Sequence, residues 1–66
     1  MKDLFQALMS FTNNELLTIK DKNNNILLKI KANDTPCISP RFYHMLVRIT
    51  YHNSEKATIK FLEDIN

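Results

Sequence analysis

The strongest constraint on the fold is a two-residue alternation of apolar and polar side chains, which occurs in two separate pairs of segments. The first pair flanks an asparagine-rich stretch and has its apolar positions at Leu17, Ile19, Ile26, Leu28 and Ile30. Alternation with period two is typical of strands with one buried face. A loop over residues 22–25 brings the apolar side chains of both strands onto one face. We therefore predict a hairpin with Ile19 opposite Leu28 and Leu17 opposite Ile30.

The same argument predicts a second hairpin further along the chain. Its apolar positions are Tyr43, Met45, Val47, Ile49 and Tyr51 on the first arm and Ala57, Ile59 and Phe61 on the second. Because all of these positions are odd-numbered, the loop at residues 52–56 must have an odd length. The predicted cross-strand pairs are Tyr51 with Ala57, Ile49 with Ile59, and Val47 with Phe61.

The start of the second hairpin also fits a helix. Ser39 before Pro40 is typical of a helix N-cap and the first residue after it, and the apolar residues that follow also fit a 3.6-residue period. The helical alternative therefore stays open on the sequence alone. A helical turn to about His44, followed by a strand from Leu46, is compatible with both patterns.

The N-terminal segment has the periodicity of an amphipathic helix. Its apolar stripe consists of Leu4, Leu8 and Phe11, with Phe5 and Met9 beside it. Asp3 suits the positive end of the helix dipole, and the polar residues 12–14 compete with helix formation and end it. We predict a helix over residues 3–11.

The predicted architecture is α+β, with the N-terminal amphipathic helix packed on a four-stranded antiparallel sheet made of the two hairpins. One domain covers residues 1–66, and the connection at 33–42 is long enough to cross over the sheet, so the strand order stays open. A domain of this size buries only about 60% of the surface that its unfolded chain exposes. With a single cysteine there is no internal disulfide to compensate, so we expect self-association as a homodimer.

Composition excludes several classes of protein. The sequence contains no glycine. This excludes the glycine-rich loops of nucleotide-binding proteins, in which the backbone closely approaches a phosphate. No segment contains the roughly 20 consecutive apolar residues that a membrane helix needs, and Asp3 interrupts the start where a signal peptide is apolar. We expect a cytoplasmic protein. One residue in three is asparagine, lysine or isoleucine, which is typical of an AT-rich genome and suggests a phage or mobile element.

The segment at residues 21–25 resembles the beginning of an EF-hand calcium loop, with oxygen ligands on alternate residues. The resemblance fails at two required positions. Ile26 stands where the loop needs glycine, and Ala32 stands where it needs a bidentate glutamate. We interpret the segment as a plain hairpin turn.

Cys37, His44 and His52 are the residues that a thiol protease or a zinc site would use. Their spacing matches no metal-site pattern, and a lone cysteine between prolines is typical of a small hydrophobic residue. The candidate carboxylates for acid–base catalysis are Asp34, in a loop, and Glu63 and Asp64, near the end of the sequence. We expect no catalytic residue, no metal, no cofactor and no enzymatic activity.

The face of the sheet that the helix does not cover is predicted to be basic. Its outward positions are Leu16, Thr18, Lys20, Leu27, Lys29, Lys31, His44, Leu46, Arg48, Thr50, Thr58, Lys60 and Leu62. Every acidic residue lies elsewhere, in the helix start, in loops or at strand ends. Charge is therefore segregated although the net charge is only +2.

Within this face, Arg48 is predicted to lie opposite Lys60 and Leu46 opposite Leu62. Like charges directly opposite each other destabilise a sheet, and such a conflict beside apolar side chains is typical of a binding surface. We predict that Leu46, Arg48, Lys60, Leu62, Lys29 and Lys31 contact a partner. The expected function is that of a small protein-binding modulator or inhibitor, acting on an acidic surface of a host protein. The alternative is a small nucleic-acid-binding regulatory module, which would contact phosphates with the same cations.

Overall fold

The computed structural model describes residues 2–12, 14–33 and 38–64. Within these residues the protein is a small α+β domain with one short helix and a five-stranded mixed sheet. The elements are β1 (Lys2–Asp3), α1 (Leu4–Met9), β2 (Leu16–Lys20), β3 (Ile26–Lys31), a 3-10 turn (Pro40–Phe42), β4 (Leu46–Asn53) and β5 (Lys56–Phe61). The strand order in the sheet is β1-β4-β5-β2-β3.

Helix α1 is shorter than the predicted span of residues 3–11. It begins at a capping box, in which the Asp3 side chain accepts from the Gln6 backbone N–H and the Gln6 side chain accepts from the Asp3 N–H. These bonds satisfy donors that a helix start leaves without partners. The face that α1 buries is Leu4, Ala7 and Leu8. Phe5 and Met9, predicted beside the stripe, are 49% and 71% exposed.

The β4–β5 hairpin has the three predicted pairs, with Tyr51 opposite Ala57, Ile49 opposite Ile59 and Val47 opposite Phe61. The predicted loop at residues 52–56 is shorter in the structure, because Asn53 pairs with Lys56 and His52 is the extra residue of a bulge. The residues before it form a 3-10 turn that begins at Pro40, and the strand begins at Leu46. The segment therefore combines a helical turn with a strand, as the compromise between the two sequence patterns predicts.

The β2–β3 hairpin also has the predicted pairs Ile19 with Leu28 and Leu17 with Ile30, but it departs from the prediction at its end. Lys20 pairs with Ile26, so Leu27 is the extra residue of a β-bulge. A bulge reverses the alternation beyond it. Leu27 therefore lines an apolar groove on the core side, rather than facing outward. Ile26, predicted to face inward, is 55% exposed.

The prediction of a four-stranded, purely antiparallel sheet is wrong in two respects. Strand β2 pairs in parallel with β5, which joins the two hairpins, and β1 adds a fifth strand beside β4. Alternation indicates which face a side chain occupies, but it contains no information about which strands become neighbours. The short β1 is held in place by its continuation into α1, where the Leu4 N–H donates to the Met45 carbonyl at 2.9 Å and the Phe5 N–H to the Tyr43 carbonyl at 3.0 Å.

The core lies between α1, the segment around the 3-10 turn, and one face of the sheet. Leu4, Leu17 and Ile59 are its largest fully buried side chains. The parallel junction contributes directly, because it places Leu17 beside Ala57 and Ile59 beside Ile19. Burying a side chain of this size contributes about 1.5–3 kcal/mol. One core holds the two hairpins together, and the opposite face of the sheet is left uncovered by α1.

Candidate functional site

The sheet face opposite α1, which we call the bare face, is formed by the outward side chains of β2, β3, β4 and β5. Because β2 pairs with β5, the outward residues of both hairpins form continuous rows across the sheet. One row is Thr50, Thr58, Thr18 and Lys29, the next is Arg48, Lys60 and Lys20, and a third includes Lys56, Leu16 and Lys31. The bare face therefore presents cations and threonines on neighbouring strands.

The row of Arg48, Lys60 and Lys20, which we call the cation row, is the most unusual part of this surface. Arg48 is paired with Lys60 on one side of β5, and Lys20 is paired with Lys60 on the other. Adjacent strands are about 4.8 Å apart, so these cations stand side by side. Like charges directly opposite each other destabilise a sheet by a fraction of a kcal/mol up to about 1 kcal/mol. Repulsion within the cation row therefore lowers the stability of the fold slightly. We interpret the row as part of a binding surface.

Lys20 was predicted to face outward, but it was not among the predicted binding residues. The hairpin registers pair Arg48 with Lys60, whereas the neighbour on the other side of Lys60 depends on the parallel pairing of β2 with β5. A sequence signal was available in the matching residue types of the two strands, since Thr18–Ile19–Lys20 and Thr58–Ile59–Lys60 have the same order. In the parallel register each of these residues lies beside the residue of the same type on the other strand.

The other predicted binding residues lie further apart. Lys29 and Lys31 are exposed on β3, and β2 separates them from Lys60. Leu46 and Leu62 are half-buried and lie at the β1 side of the sheet, where the Leu62 N–H donates to the Leu46 carbonyl at 3.0 Å. The cations and the leucines therefore belong to one surface, with the leucines at its margin and the cation row near its middle.

Carboxylates near this surface lie at its rim and have local partners. Asp64 forms an ion pair with Lys22 at 3.0 Å. Glu63 accepts a hydrogen bond from the Leu46 backbone N–H at 2.8 Å, and Glu15 accepts from the Thr12 hydroxyl at 2.7 Å. Among the described residues of β2, β3, β4 and β5, the bare face has no acidic side chain.

Asp21 begins the turn between β2 and β3 and organises it. Its Oδ1 accepts from the backbone N–H groups of Asn23 and Asn25, each at 2.9 Å, and its Oδ2 accepts from the Asn25 side chain at 3.1 Å. The hydrogen bonds from Asn25 are the main reason that the pKa of the Asp21 carboxyl is lowered, and the charge of Lys60 acts in the same direction. This is a hairpin turn, as predicted, and its acid is already satisfied by amide donors.

A shallow depression of about 290 Å³ lies over the cation row. It is lined by residues with polar side chains, whose apolar stems also contribute to its surface: Lys20, Asn24, Arg48, Thr50, His52, Thr58 and Lys60. Within it, His52 Nε2 and Thr58 Oγ1 are 2.6 Å apart, which is a hydrogen-bond distance. His52 therefore joins the bare face and orients a hydroxyl next to the cations.

The other sequence candidates do not form a site in the described part of the chain. Cys37 and Asp34 lie outside the described residues. His44 is exposed and lies before β4, away from the depression that includes His52. Across residues 2–12, 14–33 and 38–64, no group of three or more His, Cys, Asp and Glu side chains is placed to hold a metal ion. Over the same residues, every helix is too short or too polar to cross a membrane.

Comparison with protein-family models, with curated proteins and with solved structures gives no match to this chain.

Proposed function

We propose that this protein is a non-enzymatic binding module whose bare face docks on an acidic surface of a partner protein. The observation that carries the proposal is the cation row, in which Arg48, Lys60 and Lys20 lie side by side on adjacent strands. A partner with carboxylates opposite this row relieves the repulsion between the cations, so the interaction is stronger than the same contacts between neutral groups. Electrostatic complementarity of this kind also accelerates association and selects against partners of the wrong charge.

The margin of the bare face supplies apolar contacts. Leu46 and Leu62 lie there, half-buried, and have apolar area left to cover. Interfaces usually have a desolvated apolar centre and a charged rim, and the bare face has the reverse order, with its leucines at the margin and its cations near the middle. Large side chains nevertheless provide much of the affinity of an interface. We assign the leucines to anchoring, either against the partner or against a second copy of this chain, and the cations to recognition.

The proposed mode of action is occlusion. A rigid sheet without a catalytic group acts on a partner by covering a surface that the partner needs, which suits a phage-type inhibitor of a host protein. Strand pairing fixes the backbone positions of the cations, so the ordering that binding requires is that of the lysine and arginine side chains.

The decisive experiment compares two double variants with the same change in net charge. Arg48→Glu with Lys60→Glu reverses the cation row, and Lys2→Glu with Arg41→Glu places the same charges on β1 and on the 3-10 turn. In a pull-down from lysate treated with nuclease, we expect the first variant to lose its partner and the second to retain it. Equal retention by both folded variants would refute the proposal.

A nucleic-acid ligand is the second candidate, and the absence of acidic side chains from the described bare face favours it. Against it, the outward residues of β2 and β5 are threonine, lysine and leucine, whereas sheets that bind single strands usually stack bases on aromatic side chains. Binding to several phosphates would weaken by orders of magnitude between roughly 50 and 200 mM salt. A gel shift at low salt therefore separates the candidates, since we expect no shift with DNA or RNA.

A further inference from the structure

The depression over the cation row has the composition of an anion site. Arg48, Lys60 and Lys20 supply positive charge, and Thr50 and Thr58, in the neighbouring row, supply hydroxyl groups. Neither Asp nor Glu contributes to its lining. Oxyanions are held in proteins by this combination of charged and neutral donors.

The carboxylate nearest in sequence to the cation row offsets its charge only in part. Asp21 follows Lys20 directly, and the charge of Lys60 contributes to lowering the pKa of its carboxyl, after the larger effect of Asn25. Both Asp21 oxygens, however, accept hydrogen bonds within their own turn, from Asn23 and Asn25. Asp21 therefore stays charged and offsets part of the charge of Lys60, but among the described residues it forms no ion pair with Lys20 or Lys60. The remaining repulsion in the cation row can be relieved by an external anion.

The neutral donors of the depression are positioned by their own neighbours. Thr58 lies between Thr50 and Thr18 in the register, and its Oγ1 is 2.6 Å from His52 Nε2. Asn24 extends the lining from the β2–β3 turn, where it adopts the left-handed conformation with φ of 70°. Asparagine is one of the few residues that tolerate this conformation. The turn and the sheet thus approach the same volume from two sides.

We propose that this depression binds a phosphate-class dianion, either inorganic phosphate or the phosphate group of a small phosphate ester. A dianion matches the charge of several adjacent cations better than a single carboxylate does. Its tetrahedral oxygens can accept from Arg48 through two N–H groups and from lysine and threonine on the other sides. All donors of the site belong to this chain, so phosphate can bind without a partner, and it would compete with an acidic partner for the same three cations.

The test is an NMR titration of the backbone amide signals with inorganic phosphate, at slightly alkaline pH where phosphate is dianionic and at constant ionic strength set by sodium chloride. We expect saturable shifts concentrated at Thr50, Thr58 and Asn24. Glycerol phosphate, compared with glycerol, forms the second arm. Saturation by both anions assigns phosphate esters to the site, and saturation by inorganic phosphate alone assigns the free ion.

Matched variants complete the test. Arg48→Gln and Lys60→Gln each remove one charge from the cation row and should weaken phosphate binding by about tenfold. Lys31→Gln removes the same charge from an exposed position on β3 outside the depression, and binding should be unchanged. Linear shifts that sodium chloride reproduces, or equal weakening by all three variants, would overturn the site. Neither result depends on the pull-down described above, so the protein-binding proposal stands or fails separately.

Discussion

The two hairpins of this protein follow the same alternation in sequence but behave differently in the sheet. β5 lies at the centre, between β4 and β2, and its inward residues Ala57, Ile59 and Phe61 are all buried. β3 lies at the edge, and Ile30 is its one buried residue. The central strand β5 keeps its alternation throughout, whereas β3 has an extra residue at Leu27 and β4 has one at His52, beyond the part of β4 that β1 pairs with. Register is therefore strict where both neighbours and a packed face constrain it, and it relaxes where one side is open.

The largest expected difference concerns packing. Ile59→Ala empties a fully buried position in β5, and we expect a loss of about 2–5 kcal/mol in the free energy of unfolding. Leu28→Ala in β3 removes a side chain that is 36% exposed, so the loss should be about 1 kcal/mol or less. Urea denaturation of both variants measures the difference. Similar losses would show that β3 is packed as tightly as β5.

Hydrogen exchange sharpens the comparison without mutation. Amides of β5 that pair with both neighbours should exchange only on global unfolding, whereas amides of β3 should exchange through local opening at the sheet edge. We expect the amides of β3 to exchange at least roughly tenfold faster than those of β5. Uniform rates across both hairpins would mean that the sheet opens as one unit.

The two hairpin turns should respond differently to acid. Asp21 organises the β2–β3 turn as a carboxylate, whereas Asn53 plays the equivalent part in the β4–β5 turn, where its side chain accepts from the Glu55 N–H at 2.7 Å. Because the pKa of Asp21 is lowered in the folded protein, its contribution to stability is present above the ordinary value of 3.8. That contribution is lost as the pH falls through the lowered value.

We therefore expect the amide signals of Asn23 and Asn25 to shift on acidification below about pH 4 while the signal of Glu55 hydrogen-bonded to Asn53 changes less. Asp21→Asn should remove the pH dependence of the first turn. If the Asn23 signal shifted equally in this variant, another acid would be responsible.

The smallest expected effect is a gain in stability. Arg48→Thr removes a like-charge pair in β4–β5, and we expect an increase of about 0.2–1 kcal/mol at low salt that fades as salt is added. Lys29→Thr is the matched control in the other hairpin, because Lys29 lies opposite Thr18 and relieves no direct repulsion. An equal gain in stability from both substitutions would mean that the lower net charge, and not the loss of the Arg48–Lys60 pair, is the cause.

Local patterns in the sequence predicted the two hairpins, their registers and the outward positions of Arg48 and Lys60. They did not predict the parallel pairing of β2 with β5, since periodicity specifies faces and leaves neighbours unspecified. For the same reason Lys20 was not recognised as a third member of the cation row. The bulge at Leu27 was missed because an uninterrupted run of Ile26, Leu27 and Leu28 fits either register.

The central position of β5 has a consequence for how the chain acquires its structure. Every earlier element is synthesised before β5, the strand that lies between β4 and β2, so the order of synthesis differs from the order in the sheet. Residues 16–20 must wait for residues 56–60 before the two halves can join. Pairing between residues so far apart in sequence slows folding relative to local contacts. Chains truncated before Lys56 lack β5 and should be degraded more rapidly by proteases than the full chain.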